Sequence, residues 1–465
     1  MRLFDSMTRE VRELQPVDGE TFRFYCCGPT VYGPAHIGNF RTFVMQDVLR
    51  RVLELGGMPT YHVRNITDVD DKTIRDSEAA NETLEKFTGR WLAQFHDDCK
   101  KLNCLPPHLE PSAVAHIPQQ VAMIAALIEK GHAYAPGDGS VYFKISSFAN
   151  YGKLSRLDTR ELSLGKTQGE RAGDLADEYE KDSISDFVLW KGKREGDGDN
   201  FWESPWGEGR PGWHLECSAM IQEYLGDTFD LHGGGEDLAF PHHENEIAQS
   251  QCACGGEFAR HWFHGSHLLV NGKKMSKSEG TIFTISDLEE KGFAAAEVRY
   301  ELLAAYYRKQ ANFTLESLHA KREALSKLSA SELKLRIKVE AAEPPSYEEL
   351  LNLQSFGVFA ESWAELRDDL NTAAAIGKLF TGLKTAETHE DWLGFHGVLA
   401  ALGLELSESK EDVTEVPEEV SNLAEERWAA RCAKDWAKSD QLRDALKELG
   451  WVAKDGPEGY RLEKL

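Results

Sequence analysis

The chain has 465 residues, of which 41% are hydrophobic and 28% charged. That is the composition of a folded globular protein, and the length exceeds one compact core, so two to four domains are expected. A net charge of −25, from 53 basic and 78 acidic residues, excludes a protein that is basic throughout; any contact with nucleic acid then needs a local basic face.

No run approaches the ~18 apolar residues of a membrane span, so no membrane partner is expected. The first residues, MRLFDSMTREVRELQP, lack the apolar centre of a secretory signal. The expected location is therefore cytoplasmic. There the eight cysteines stay reduced, which leaves metal binding or packing as their uses.

Residues 21–27, TFRFYCC, alternate and are rich in aromatics, as a strand requires. A Gly/Pro-rich turn, GPTVYGPAHIGN, leads into FRTFVMQDVLRRVLELGG, which has helical spacing and stops on Gly56-Gly57. TYHVRNITDVDDK reads as a second strand entering an acidic loop. Strand, glycine loop, helix and strand form a βαβ unit and imply a parallel sheet. Ligands of such sheets sit at the carboxyl ends of the strands. Cys27, His36 and Asn39 are thereby placed beside Thr67 to Asp71. Residues 80–135 read as mostly helical. Residues 136–210 include the strand-like SVYFKISSF and the loop-rich GKREGDGDNFWESPWGEGRPG, and read as an insertion that splits the sheet domain.

The stretch from Trp213 to Gln251 carries the densest chemistry. TFDLHGGG is a buried strand running into a glycine turn, and PHHENEIAQSQ a helix with proline at its first position. His242 and Glu246, four apart, project from one helical face, and Cys217 lies shortly before them. An imidazole, a carboxylate and a thiolate make a Zn²⁺ ligand set. Either Cys26 or Cys27 completes it, but not both, because strand alternation sends them to opposite faces. The alternative is a polar helix beside a buried free cysteine; HGGGED and PHHENE together favour the metal. Cys252 and Cys254 have no matching pair nearby and read as spare thiols.

Two further motifs suit a triphosphate. His36-Ile37-Gly38-Asn39 stands where a strand gives way to a helix, whose free N–H groups and positive dipole end attract anions. Gly38 removes a side chain where a nucleotide must come close, and His36 and Asn39 supply donors. Lys274-Met275-Ser276-Lys277-Ser278, between Gly272 and Gly280, puts two ammonium groups and two hydroxyls on a loop. From about Leu288 to Leu404 the spacing is helical. The acidic ELSESKEDVTEVPEE then marks a boundary. EERWAARCAKDWAKSDQLRDALKELG follows as a basic-faced helical stretch, and WVAKDGPEGYRL as a small hairpin or extended end.

The motifs YCCGPTVYGPAHIGN, NITDVDDK, PGWHLECSAM, DLHGGGEDLAFPHHENEIAQ, NGKKMSKSEGT and ARCAKDWAKSDQLRDAL run from Tyr25 to Leu446. In this order they closely resemble the cysteinyl-tRNA synthetases, a family of class I aminoacyl-tRNA synthetases. The first signature ends in Asn39 rather than His. The resemblance implies an α/β fold: a Rossmann-type parallel-sheet catalytic domain with an insertion, then a helical bundle and a small C-terminal anticodon-binding module. The expected divisions are 1–115 and 206–260 for the two catalytic halves and 116–205 for the insertion. A linking region with the KMSKS motif takes 261–315, the bundle 316–405 and the anticodon module 420–465.

The same resemblance implies ATP-dependent activation of L-cysteine to cysteinyl-adenylate and its transfer to the 3′ end of tRNA-Cys. It puts one Zn²⁺ on Cys27, Cys217, His242 and Glu246, and Mg²⁺ with the ATP. His36, Asn39, Lys274 and Lys277 become catalytic residues. Gly38, His36 and Lys277 bind ATP, and Thr67, Trp213 and Asp237 bind the amino acid, with Asp237 suited to its ammonium group. His232 and His243 line the pocket or stand behind it. Arg427, Arg431, Lys434, Lys438 and Arg443 are available to an anticodon. A monomer is expected. The nearest alternative is a ligase that passes cysteine to a small amine such as an aminosugar, against which the C-terminal module argues.

Overall fold

The structure is a computed structural model and describes residues 1–156, 186–275, 280–406, 417–456 and 459–464. It divides into two compact units, Met1–Leu406 and Ser407–Leu465. The central part of the expected insertion, Ser276 to Ser278 with Lys277, and most of the acidic linker lie outside the described residues.

The first unit begins with an antiparallel pair, β1 (Arg2–Asp5) and β2 (Glu10–Glu13). β3 (Phe22–Cys26), α1 (Ile37–Leu55) and β4 (Thr60–Arg64) follow as the βαβ unit read from the sequence, with β3 and β4 parallel. Phe22, Phe24, Tyr25 and Cys26 are all buried, because a parallel strand is covered on both faces. α2 (Asp71–Ala79), α3 (Leu84–Lys101) and α4 (Ile117–Glu129) supply the helices expected between 80 and 135.

β5 (Ala133–Tyr134), β6 (Val141–Phe143), β7 (Phe187–Gly192) and β8 (Gly209–Pro211) form a separate antiparallel sheet inside the inserted stretch. The chain then returns through α5 (Leu215–Leu225), β9 (Thr228–Gly235), α6 (His242–Cys254) and β10 (Phe258–Gly265). The main sheet has the order β10-β9-β3-β4, and every neighbouring pair is parallel. β3 is thus an inner strand between β4, its near neighbour in sequence, and β9, which arrives after the insertion. Pro241 caps α6 and does not begin it; the first helical residue is His242.

β11 (Leu268–Val270) and β12 (Lys273–Lys274) are followed by α7 (Ile285–Glu290) and α8 (Ala295–Leu303). β13 (Ala311–Phe313) then pairs in parallel with β11, a strand inside a stretch read as helical throughout. Its three residues are too few to alter the periodicity of a long window. Ala311 and Phe313 are buried while Asn312 between them is exposed, the alternation of a half-covered strand. α9 (Leu315–Lys338), α10 (Tyr347–Leu350), α11 (Ala360–Arg367), α12 (Thr372–Gly382) and α13 (His389–Leu402) complete this unit.

α1 is tied into that helical layer by buried charge. Asp47 accepts from Arg51 Nε at 2.8 Å and from Arg299, and Arg299 Nε donates to the Leu402 carbonyl at 2.8 Å. In the second unit, α14 (Glu418–Cys432) and α15 (Trp436–Glu448) pack on the hairpin of β14 (Trp451–Gly456) and β15 (Gly459–Lys464). Its own small core holds Val420, Ala424, Leu446 and Trp451. Among the described residues no helix is long and apolar enough to cross a membrane.

Candidate active site and metal centre

β3 ends at Cys26, and the alternation there divides the two cysteines. Cys26 packs with Phe24, Ile37 and Phe263 in the larger core, whereas Cys27 joins Tyr25, Cys217 and Trp262 on the other side of the sheet. Cys27 meets Cys217 from the first turn of α5 and His242 and Glu246 from the first turns of α6. One ligand atom from each of the four lies within 4.8 Å of the others, and all four are buried. Ligands about 2.0–2.3 Å from a tetrahedral ion stand roughly 3.3–3.8 Å apart, so the cluster is of the right size.

The electrostatics fit a cation at that point. Burial pushes the Cys27 thiol up to about 12 and holds Cys217 well above its ordinary value. Two thiols so reluctant to ionise are natural partners for a divalent ion, which deprotonates a coordinating thiol. Burial also opposes ionisation of Glu246, but the facing His232 and His242 outweigh it and bring the carboxyl down to about 2. Glu246 Oε2 accepts from His232 Nε2 at 2.8 Å. Its Oε1 is 3.1 Å from His242 Nε2, near enough for an ion pair, yet no hydrogen bond is completed there. A buried carboxylate oxygen with an unfinished hydrogen bond is an open coordination site.

A ring of further imidazoles backs the four. His214 Nδ1 and His242 Nδ1 share a hydrogen bond at 2.8 Å. His243 Nε2 touches Cys27 Sγ at 3.4 Å, His243 Nδ1 pairs with His264 Nε2 at 2.8 Å, and His264 Nδ1 reaches Ser6 Oγ at 2.7 Å. Cys27, His232, His243 and Glu246 form a second compact group. The two groups share Cys27 and Glu246, so one ion satisfies one of them at a time. His243 has both ring nitrogens, and His232 its Nε2, in the bonds just named, the position of groups that orient ligands. The glycines of HGGGED permit this crowding: a Cβ on Gly234 would lie 3.0 Å from the His243 ring and 2.9 Å from Leu238.

Thr67 is buried, and its hydroxyl donates to Glu216. Asn65 Nδ2 also reaches Glu216, at 3.4 Å, and Asn65 Oδ1 accepts from the Gly28 N–H at 2.8 Å. Burial holds the Glu216 carboxyl well above its ordinary value. Trp213 is half-buried with its ring 4.6 Å from that of His242. Asp237 is exposed, in the short turn after β9.

At the other signature, His36 caps α1. Its Nδ1 accepts from the Asn39 N–H at 3.3 Å while Asn39 Oδ1 accepts from the His36 N–H at 3.0 Å. Both side chains thus hold the helix end in shape. A Cβ on Gly38 would lie 2.0 Å from Met275 Cε, so the two signatures touch there. The Ile37 N–H donates to the Phe283 carbonyl at 2.9 Å, a second tie to the loop that carries KMSKS. Lys274 is exposed at the end of β12.

Sequence reasoning did not single out Glu216, Asn65, His214 or His264. Glu216 and His214 stand inside the PGWHLECSAM motif, where a carboxylate directly between Leu215 and Cys217 was the available signal. Nothing local marks Asn65 or His264, whose roles arise from tertiary contact.

The family described as "tRNA synthetases class I (C) catalytic domain" matches residues 13–323, and the "Cysteinyl-tRNA ligase anticodon binding domain" matches residues 413–460. The chain is 53% identical to a cysteine–tRNA ligase of Opitutus terrae, over all of this chain and 99% of that one. It is 42% identical to the enzyme of that name from Chlamydia caviae, over 100% and 98%. Among solved structures it is similar to Mycobacterium tuberculosis methionyl-tRNA synthetase in complex with methionyl-adenylate. The TM-score is 0.58 at 14% identity, with 82% of this chain and 89% of that one covered, a likeness of fold. A parallel sheet, a catalytic-domain match over most of the chain, and relatives that match from end to end place the chain in the cysteine–tRNA ligase family of class I aminoacyl-tRNA synthetases.

Proposed function

We propose that the buried cluster of Cys27, Cys217, His242 and Glu246 holds a zinc ion with which the chain, as a cysteine–tRNA ligase, identifies its amino acid. The reaction joins L-cysteine and ATP into cysteinyl-adenylate and pyrophosphate, then transfers cysteine to the terminal adenosine of tRNA-Cys. Its location is cytoplasmic. The observation that carries the reading is two thiols, an imidazole and a carboxylate converging within 4.8 Å at the carboxyl ends of the sheet.

The need for such a site is physical. Serine differs from cysteine by one atom, and a plain pocket separates such isosteres by only about 10–200-fold. When bound, zinc favours a soft thiolate over a hydroxyl. The chain's own residues do the rest. Glu246 keeps its negative charge because His232 and His242 face it, Trp213 lies against the His242 ring, and Asp237 suits the substrate's ammonium group. The carboxylate of cysteine is already ionised, so the first step needs no general base, and the work is positioning and charge stabilisation at the α-phosphate. His36 and Asn39 shape the helix end that receives the phosphates, Gly38 gives the nucleotide room, and Lys274 and Lys277 bring positive charge. Mg²⁺ enters with the ATP.

In the second unit Trp436 is exposed beside Arg431, whose guanidinium lies 5.8 Å from its ring centre. With the exposed Lys434, Lys438 and Arg443 this supports an anticodon-facing surface around α14 and α15, despite the acidic whole; Arg427, expected to join them, is buried and does not face it. The test is cysteine-dependent exchange of pyrophosphate into ATP, followed by charging of tRNA. Exchange with cysteine and not serine, and charged tRNA-Cys, are expected; exchange without zinc at unchanged preference overturns the reading. Lys277→Ala should cut exchange strongly while zinc content stays at one per chain.

A further inference from the structure

A second pair of thiols lies away from the metal cluster, where α3 ends. Cys99 is the third residue from the end of that helix and Cys104 lies three residues beyond it. The Cys104 N–H donates to the Cys99 carbonyl at 2.9 Å, and the Asn103 N–H to the Lys100 carbonyl at 2.9 Å. Asn103 takes φ of 53° between them. This is the Schellman ending of a helix, which sets the side chains of these two positions against each other. The contact is ordinarily apolar; here it sets sulfur against sulfur.

The surroundings divide the pair. Cys99 is buried, whereas Cys104 is partly exposed. Arg299 Nη1 donates to Cys104 Sγ at 3.6 Å while the same guanidinium caps the Leu102 and Asn103 carbonyls at 2.7 and 3.1 Å. The Cys99 thiol as donor, with Arg299 and Arg64 near, lowers the Cys104 thiol from its ordinary value against the opposing effects of burial and of Asp47. A thiol on a partly exposed residue, held by a guanidinium beside a buried thiol, is the arrangement of an attacking and a resolving cysteine.

We propose that Cys99 and Cys104 are a reversible dithiol–disulfide pair, an oxidative modification site for hydroperoxides. The Cys104 thiolate attacks one oxygen of hydrogen peroxide, the O–O bond breaks, and the departing hydroxide takes a proton to become water. Cys104 is left as a sulfenic acid. The Cys99 sulfur attacks it, a second water leaves with the Cys99 proton, and the S–S bond forms. In sum the two thiols lose two electrons and two protons, and the peroxide is reduced to two waters. A small dithiol reverses the bond by exchange. The site sits at a joint, because the Leu105 N–H, one residue on, donates to Asp47 of α1 at 2.8 Å.

The test uses the full chain loaded with zinc. It is exposed to hydrogen peroxide, its remaining thiols are alkylated, and it is digested with trypsin. The expected product is the peptide 91–100 joined to the peptide 102–130, lighter than their sum by two hydrogens and separated by dithiothreitol, with zinc content unchanged. In Cys99→Ser the sulfenic acid should persist and be trapped by dimedone at Cys104. Phenylarsine oxide, which bridges adjacent thiols, should protect Cys99 and Cys104 of the untreated wild-type chain from alkylation, a reading that needs no variant. Independent over-oxidation of the two sulfurs without the linked peptides, or no protection by the arsenical, overturns the proposal.

Discussion

Glu246 is the residue on which the buried cluster turns, since it is the anion facing both His232 and His242 in a site closed to water. His232 holds it from behind at 2.8 Å. Removing such a supporting partner ordinarily weakens metal binding about 10–100-fold. His232→Ala should therefore fold, bind zinc more weakly by that factor in competition with a chelator, and raise the KM for cysteine more than the KM for ATP. Gly38→Ala tests the other signature. Its Cβ would force the Met275 methyl aside, which a flexible side chain permits, so the melting temperature should hold. The nucleotide's seat would be narrowed, and a displacement of ~1 Å costs about 100-fold in rate; pyrophosphate exchange should fall by that order. Of the four clustered residues, Cys217, His242 and Glu246 were legible in sequence because donor type and spacing carry meaning there, whereas the choice of Cys27 over Cys26 rested on the family resemblance. Asn65 and His264 were not, because an amide and an imidazole acquire their roles only when distant segments meet.

At the scale of elements, the caps give a sharper test than the sheets. Asp391 stands at the start of α13, where it accepts from the backbone N–H groups of Val358, Glu387 and Thr388 at 2.9 to 3.0 Å. Burial pushes its carboxyl up, but these donors and the Thr388 hydroxyl outweigh it, and it falls to about 2. The unfolded chain protonates this group near pH 3.8. Its contribution, about 2 kcal/mol, is complete above that pH and is lost as the pH falls through about 2. The wild-type chain should lose stability between pH 4 and 2 more steeply than Asp391→Asn, measured by denaturant unfolding of metal-free protein. The β3–α1–β4 unit was readable because each piece had its own period and its own stop. β13 was not, because three residues become a strand only by lying beside β11.

On the scale of the whole molecule, the two units have separate cores. A chain ending at Leu406 should keep cysteine-dependent pyrophosphate exchange within a few-fold of the full chain. It should lose most tRNA charging, seen as a raised KM for tRNA. If exchange vanished as well, the units would depend on each other for folding. The order of strands has one more consequence. β3 needs β9 along one edge, and β9 begins 202 residues after β3 ends (228 − 26). At about 5–20 residues per second, the ribosome leaves that edge open for roughly 10–40 s. During that interval the nascent protein carries a bare, mostly apolar margin, the kind of surface on which chaperones act.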